Sequence, residues 1–340
     1  MDTDPSAARP EPPFQAVEHE LLGGNRRYNR AQVAQLAQVD TELAATLWRA
    51  LGFADVGDEE VAFTERDVEA LQTVRSLVDR GVLDEEAQLS VTRAMGQSLS
   101  RLAEWQVATI TEALGRTGST QPGPLQAQDA AAVARELVPV MEGLIGYVWR
   151  RHLAATAGRV LGGERTDVVA GSMAVGFADL VGFTSLTRHV DEEQLARLVD
   201  RFEGIAADTI AEYGGRVVKT VGDEVMFTAE EAGVGAEIAV CLSERIGGDE
   251  SLPELRVGVA CGTVLSRLGD VYGEPVNIAS RLTSAARPGS VLVDRELAAA
   301  LEGDDRWRLR RVPPRPVRGY TLLQAFRLRR ADDVDGAAEH

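Results

Sequence analysis

Apolar residues fall into two textures along the chain. Through residues 30–114 they recur at three- and four-residue spacing, as in Val33, Leu36, Leu43, Leu47 and Trp48 and again in Val68, Leu71, Val74, Leu77 and Val78, which predicts amphipathic helices. Thr64 followed by Asp67 reads as a capped helix start. Residues 115–128, GRTGSTQPGPLQAQ, interrupt the pattern with Gly, Ser, Thr and Pro and read as a linker or loop. A second helical segment then sets Val133, Leu137, Val140, Leu144 and Tyr147 in a heptad-like stripe and runs through Trp149 and His152 towards Gly162. Such a helix either pairs with its copy or packs on its own subunit, and the pattern leaves both open.

After Gly163 the texture changes. A strand is expected over 172–179, then an amphipathic helix over 191–213 with Leu195, Leu198, Val199, Phe202, Ile205 and Ile210 on one face. Residues 216–228 split into two short strands around Val221-Gly222-Asp223-Glu224, a hairpin with Gly-Asp in its turn. A helix (232–246), a strand (255–261), a helix (276–286) and a strand (290–294) follow. The expected fold class is α+β, with an all-α N-terminal half and a C-terminal ferredoxin-like unit of order βαββαβ.

Composition narrows the function classes. The 340 residues carry a formal charge of −17, which argues against a partner with a phosphate backbone, so no nucleic-acid partner is expected. No apolar run approaches the ~20 residues of a membrane-spanning helix, so no integral membrane segment is expected. Residues 1–14 are acidic and proline-rich and read as a disordered tail rather than a signal peptide. Cys241 and Cys261 lie in apolar patterns without metal-ligand spacing, the reading for reduced core thiols in a cytoplasmic protein. Lysine and arginine total 36, yet lysine occurs once, at Lys219. A compact ammonium differs from a planar guanidinium in its donor geometry, so this position is a candidate for a specific role.

Two aspartates stand where metal chemistry would use them. Asp179 ends an apolar strand ahead of Leu180-Val181-Gly182-Phe183-Thr184, and Asp223 lies at the hairpin tip. Carboxylates at a strand end and a neighbouring tip can converge on magnesium or manganese, which prefer hard oxygen ligands. Either alone is more often ordinary turn chemistry.

The two occur together inside FADLVGFTSL (177–186) and GGRVVKTVGDEVMF (214–227), and GDVYGEPVNIASRL (269–282) follows. These three motifs, in this order, resemble the catalytic domain of class III nucleotide cyclases over residues 172–328. The resemblance implies an adenylate cyclase, a phosphorus–oxygen lyase making 3′,5′-cyclic AMP and pyrophosphate from ATP. Asp179, Asp223 and the Leu180 carbonyl would hold two divalent ions, magnesium or manganese. One ion would lower the pKa of the ribose 3′-hydroxyl and the other would hold the triphosphate. Arg281 would stabilise charge at the α-phosphate, Asn277 would orient the ribose one helical turn away, and the turn at Phe183 and Thr184 would offer N–H groups to phosphate. Lys219 and Asp270 match the base-selecting pair: an ammonium donates to adenine N1 and a carboxylate accepts from the N6 amino group. Guanine reverses both, and members that make cyclic GMP carry Glu and Cys there. Where the family has a phosphate-binding lysine between Val and Gly, this chain reads Val317-Arg318-Gly319, and Arg318 takes that role. The stretch 263–268 is a shorter arm than the family often carries. Because the family splits these residues between protomers, the resemblance also implies a homodimer with two equivalent sites. Gly247-Gly248-Asp249-Glu250 spells most of a diguanylate cyclase signature, but it follows a helix and reads as coincidence.

The expected division is a tail at 1–14, a helical regulatory domain at 15–162, the catalytic domain at 163–330 and an acidic tail at 331–340. The N-terminal half is similar to the helical regulatory domains of soluble actinobacterial cyclases. A small-molecule, lipid or proton signal is open for it. The competing readings are a catalytically silent cyclase-like module and, from residues 28–64, a MerR-like DNA-binding regulator.

Overall fold

The first helix of the chain begins inside the stretch expected to be a tail. The computed structural model describes residues 13–117, 127–161, 170–267, 269–317 and 320–332, and the chain divides into two units, 1–158 and 159–340. The first unit holds α1 (Pro13–Leu22), α2 (Arg30–Ala37), α3 (Thr41–Ala50), α4 (Glu65–Asp79), α5 (Glu85–Thr117) and α6 (Ala127–Leu161). Capping residues start them: Asn29 and Gln32 form a reciprocal box on α2, Asp40 accepts from two N–H groups of α3, and Thr64 donates both its N–H and its hydroxyl to Asp67 on α4. Tyr28 bridges Phe63, and Val33, Ala34, Ala44, Phe63 and Val68 form a small core. Ring centroids of Phe53 and Phe63 lie 4.4 and 4.7 Å from that of Trp48.

Helices α5 and α6 reach into both ends of the expected linker, whose middle lies outside the described residues. The heptad-like stripe is only partly covered: Val133 and Leu137 are half-buried and Val140, Leu144 and Tyr147 are exposed, whereas Ala131 and Ala134 are buried. No helix among the described residues is long and apolar enough to cross a membrane.

In the second unit the order is β1 (Ala170–Leu180), α7 (Phe183–Leu186), α8 (Glu192–Glu212), β2 (Arg216–Val221), β3 (Glu224–Ala229), α9 (Ala232–Gly247), β4 (Leu255–Arg267), β5 (Asp270–Tyr272), α10 (Glu274–Ala285), β6 (Ser290–Val293), α11 (Arg295–Ala300), β7 (Trp307–Val317) and β8 (Tyr320–Arg330). Strands run β2-β3-β1-β4-β6-β8-β7 across one sheet, with β5 folded back on β4. The antiparallel β2-β3-β1-β4 portion is the expected ferredoxin-like core. The sequence reading missed α11, β5 and the β7–β8 hairpin, and it ended β4 six residues early.

The two sheet faces separate by alternation. Ala178, Leu180, Val225 and Val257 point into a large core with Phe202 and Ile210 of α8 and Ile238 and Leu242 of α9. Val175, Phe177, Met226 and Ala260 point the other way, against Ala279 of α10. Asp179 lies between Ala178 and Leu180 and therefore belongs to the α10 face. Helix α10 comes in at Gly258, where a Cβ would stand 2.3 Å from the Thr283 nitrogen and 2.5 Å from the Ala279 oxygen. Glycine at this strand position is what lets backbone meet backbone. The cyclase-signature decoy is the end of α9 and its turn, where Asp249 accepts from Ser251 and pairs with Arg201.

Candidate active site

Three carboxylates gather at one sheet end. Asp179 stands opposite Glu224 in the β1–β3 register, and the Leu180 N–H donates to the Asp223 carbonyl at 3.0 Å, tying the end of β1 to the hairpin tip. The tip is a two-residue turn between the paired Val221 and Glu224, with Gly222 at φ 63° in its first position. Burial, with the nearby charge of Asp179, raises the Asp223 carboxyl above its ordinary pKa. Glu224 is raised by burial first and then by Asp179 and Asp223. Burial and mutual repulsion thus make it costly to ionise these carboxylates together, a cost a bound cation would relieve. These are hard oxygen donors, and the Leu180 carbonyl is beside them. Among the described residues no group of three His, Cys, Asp or Glu side chains is set to hold a metal ion, so an ion here would complete its shell from the carbonyl and from substrate oxygens.

Arg256, which the sequence reading passed over, partly compensates this charge. It stands opposite Asp179 in the β1–β4 register and its Nη2 donates to Asp179 Oδ2, while its buried Nε has no partner. The signal was present: a lone arginine inside the apolar strand run Leu255-Arg256-Val257-Gly258-Val259. Glu224 was likewise legible as the residue following Asp223.

The next pair joins segments 51 residues apart. Lys219 Nζ of β2 donates to Asp270 Oδ2 of β5 at 2.6 Å, and Asp270 Oδ1 accepts from the Val271 N–H at 2.9 Å. Burial alone would raise the Asp270 carboxyl, but its hydrogen bonds from Lys219 and Val271 outweigh this and hold it below the ordinary carboxylate range. Both side chains stay partly accessible, 40% and 28%, so each keeps hydrogen-bonding capacity for a ligand. Lys219 pairs with Met226 across a β-bulge, on the same face as Asp179 and Glu224.

Asn277 and Arg281 lie four residues apart on α10, which Gly273 and Pro275 start, and so share a face. Asn277 is exposed and Arg281 half-buried, and neither has a side-chain hydrogen bond or ion pair among the described residues. Phe183 and Thr184 open α7. Gly182 at φ 75° precedes them, its carbonyl accepts from Ser185 and Leu186, and Phe183 packs on the large core. The first N–H groups of this turn have no intrahelical acceptor. Arg318 lies outside the described residues.

Comparison with known proteins agrees across both units. The family model for the "Adenylate and Guanylate cyclase catalytic domain" matches residues 168–329, and that for the "Adenylate cyclase regulatory domain" matches residues 7–155. An adenylate cyclase of Streptomyces coelicolor is 43% identical over 98% of this chain and 94% of its own length. An adenylate cyclase of Streptomyces griseus is 46% identical over 84% of this chain and 71% of its own. Among solved structures, the adenylyl cyclase CyaB from P. aeruginosa is 23% identical, with a TM-score of 0.42 over 47% of this chain and 94% of that one. With both family models matched and a relative 43% identical over nearly its whole length, this chain belongs to the adenylate cyclases that join an adenylate cyclase regulatory domain to an adenylate and guanylate cyclase catalytic domain.

Proposed function

We propose that the chain converts ATP into 3′,5′-cyclic AMP and pyrophosphate at two equivalent sites of a homodimer, each holding two magnesium or manganese ions. The observation that carries the substrate choice is the Lys219–Asp270 pair at 2.6 Å. It presents a donor beside an acceptor, which suits the N1 and N6 positions of adenine and opposes the edge of guanine; a mispaired buried edge costs a factor of ~10⁴ or more.

Asp179, Asp223 and the Leu180 carbonyl fit divalent ions, which supply activation of the 3′-hydroxyl and charge neutralisation at the phosphates. Arg256 pairs with Asp179; where Asp179 holds a cation, the Arg256 guanidinium would be available beside the cluster for phosphate oxygens. Arg281 steadies charge at the α-phosphate and Asn277 orients the ribose. The N–H groups of Phe183 and Thr184, with Arg318, hold the remaining phosphates. In the homodimer reading the sites are shared between protomers, as in the family the motifs resemble, and a monomer is then inactive. The division into a helical regulatory part up to residue 162 and a catalytic part at 163–330 belongs to the same reading. The helical part acts by changing how two catalytic units meet.

The test is cyclic-nucleotide production by purified protein given ATP or GTP with Mn²⁺, beside Asp223→Ala and Lys219→Glu and beside residues 163–340 alone. Cyclic AMP from ATP alone, lost in Asp223→Ala, is the expected result. Activity confined to the fragment would mean autoinhibition. Silence in full-length chain and fragment alike, from folded dimers, would favour a non-catalytic module.

A further inference from the structure

Two rungs of the outer hairpin set arginine against arginine: Arg308 stands opposite Arg329, and Arg310 opposite Arg327. Like charges directly opposite in a ladder weaken it. Other arginines of this unit do find carboxylates, among them Arg245 in Glu212 and Arg330 in Glu237 and Glu244. Arg287, Arg310 and Arg327 have no ion pair or side-chain hydrogen bond among the described residues, although Asp and Glu outnumber Lys and Arg by 53 to 36 in the chain. An acidic protein has carboxylates to spare, so three unmatched arginines around one cavity need a reason.

They line a cavity of about 430 Å³ between the end of α10, β6 and the β7–β8 hairpin, and no carboxylate among the described residues lines it. Its floor is apolar, formed by Leu282, Leu292, Val312 and Leu323. The Nε of Arg327 is buried there without a partner. Burial, and then the like charges of Arg329, Arg287 and Arg310, pull Arg327 below the usual arginine range. A desolvated donor without an acceptor costs free energy that a bound anion returns.

We infer that this cavity is a binding site for a small organic phosphate, its anionic head on Arg287, Arg310 and Arg327 and its apolar body on the floor of leucines and Val312. None of the described residues placed in the nucleotide site lines it. Planar guanidinium groups suit a phosphate head through paired N–H donors. The apolar floor is what separates an ester from bare phosphate.

Phenyl phosphate is a suitable probe because it lacks the adenine edge that Lys219 and Asp270 would read. Calorimetric titration of the full chain at fixed ionic strength should show saturable binding, with inorganic phosphate weaker. Arg327→Gln and Arg310→Gln should each weaken binding by about 10- to 100-fold, and Asp223→Ala should leave it unchanged. Relief of repulsion should also bring the melting temperature of each arginine variant, without ligand, to that of the parent or above. Equal binding by parent and Arg327→Gln would overturn the inference. So would loss of binding in Asp223→Ala, inorganic phosphate binding as well as the ester, or response only to a polyanion such as heparin.

Discussion

The approach of α10 to the sheet at Gly258 gives a direct way to ask whether that helix carries the reacting geometry. Alanine there places a Cβ 2.3 Å from the Thr283 nitrogen and 2.5 Å from the Ala279 oxygen, where ordinary contact begins at 3.4 Å. Both are backbone atoms and cannot rotate away, so the helix must retreat by about 1 Å, the difference between 2.3 and 3.4 Å. The shift also strains the Thr283 hydroxyl, which donates to Phe177 O at 3.2 Å and Ala279 O at 2.9 Å. Overpacking of this kind costs about 1–3 kcal/mol of stability. Asn277 and Arg281 ride on the same helix, and a misplacement of ~1 Å can cost about 10²-fold in rate. Gly235→Ala is the control: its Cβ falls 2.5 Å from the Ala174 Cβ, on the sheet face away from α10. Both variants should melt below the parent. In a cyclic AMP assay at saturating ATP and Mn²⁺, kcat should fall about 10²-fold in Gly258→Ala and little in Gly235→Ala. If the two variants lose stability alike and their kcat values agree within about twofold, α10 does not position the chemistry.

Three further outcomes follow from the same geometry. Asp270→Asn replaces one acceptor oxygen by a donor and removes the partner of Lys219, so discrimination between ATP and GTP, measured as a ratio of kcat/KM, should fall by at least ~10²; an unchanged ratio would remove this pair from base recognition. Arg256→Ala takes away the cation that holds Asp179, so Mn²⁺ titrated without nucleotide should bind more tightly, while kcat/KM for ATP drops by about 10-fold or more; weaker Mn²⁺ binding would contradict the release of Arg256 by a cation. Asp294 is buried, caps α11 through the Leu297 N–H at 2.9 Å, and is pushed up to about 7 by burial. A folded-state pKa above the ordinary ~3.9 of an unfolded aspartate means stability that is fully present below that value and lost as pH rises to about 7. The urea midpoint of the parent should therefore decline more across this window than that of Asp294→Asn, and parallel curves would refute the assignment.

What the sequence made legible, and what it hid, divides along the range of the forces involved. Helices α8, α9 and α10 and the β2–β3 hairpin are written locally, in 3.6-residue periodicity, in Asp191 as a reciprocal cap with Gln194, and in Gly222 at a tight turn. Most candidate residues sit in three short motifs for the same reason, since each lies in or beside one of these locally written elements. The β7–β8 hairpin was invisible because its strands alternate arginine with apolar residues, a pattern that reads as exposed surface until pairing sets Arg310 against Arg327. Arg256 was hidden differently: its role depends on register, and only the alignment of β4 with β1 puts it opposite Asp179. The partly covered stripe on α6 marks a third case. Periodicity gave the helix and its apolar face correctly, but no local rule tells which surface that face meets, because burial is decided by residues far along the chain. The chemistry of this family is thus unusually readable because each motif holds its functional residue and the turn that aims it. The charges that tune the site come from strand pairing, so they emerge only with the sheet.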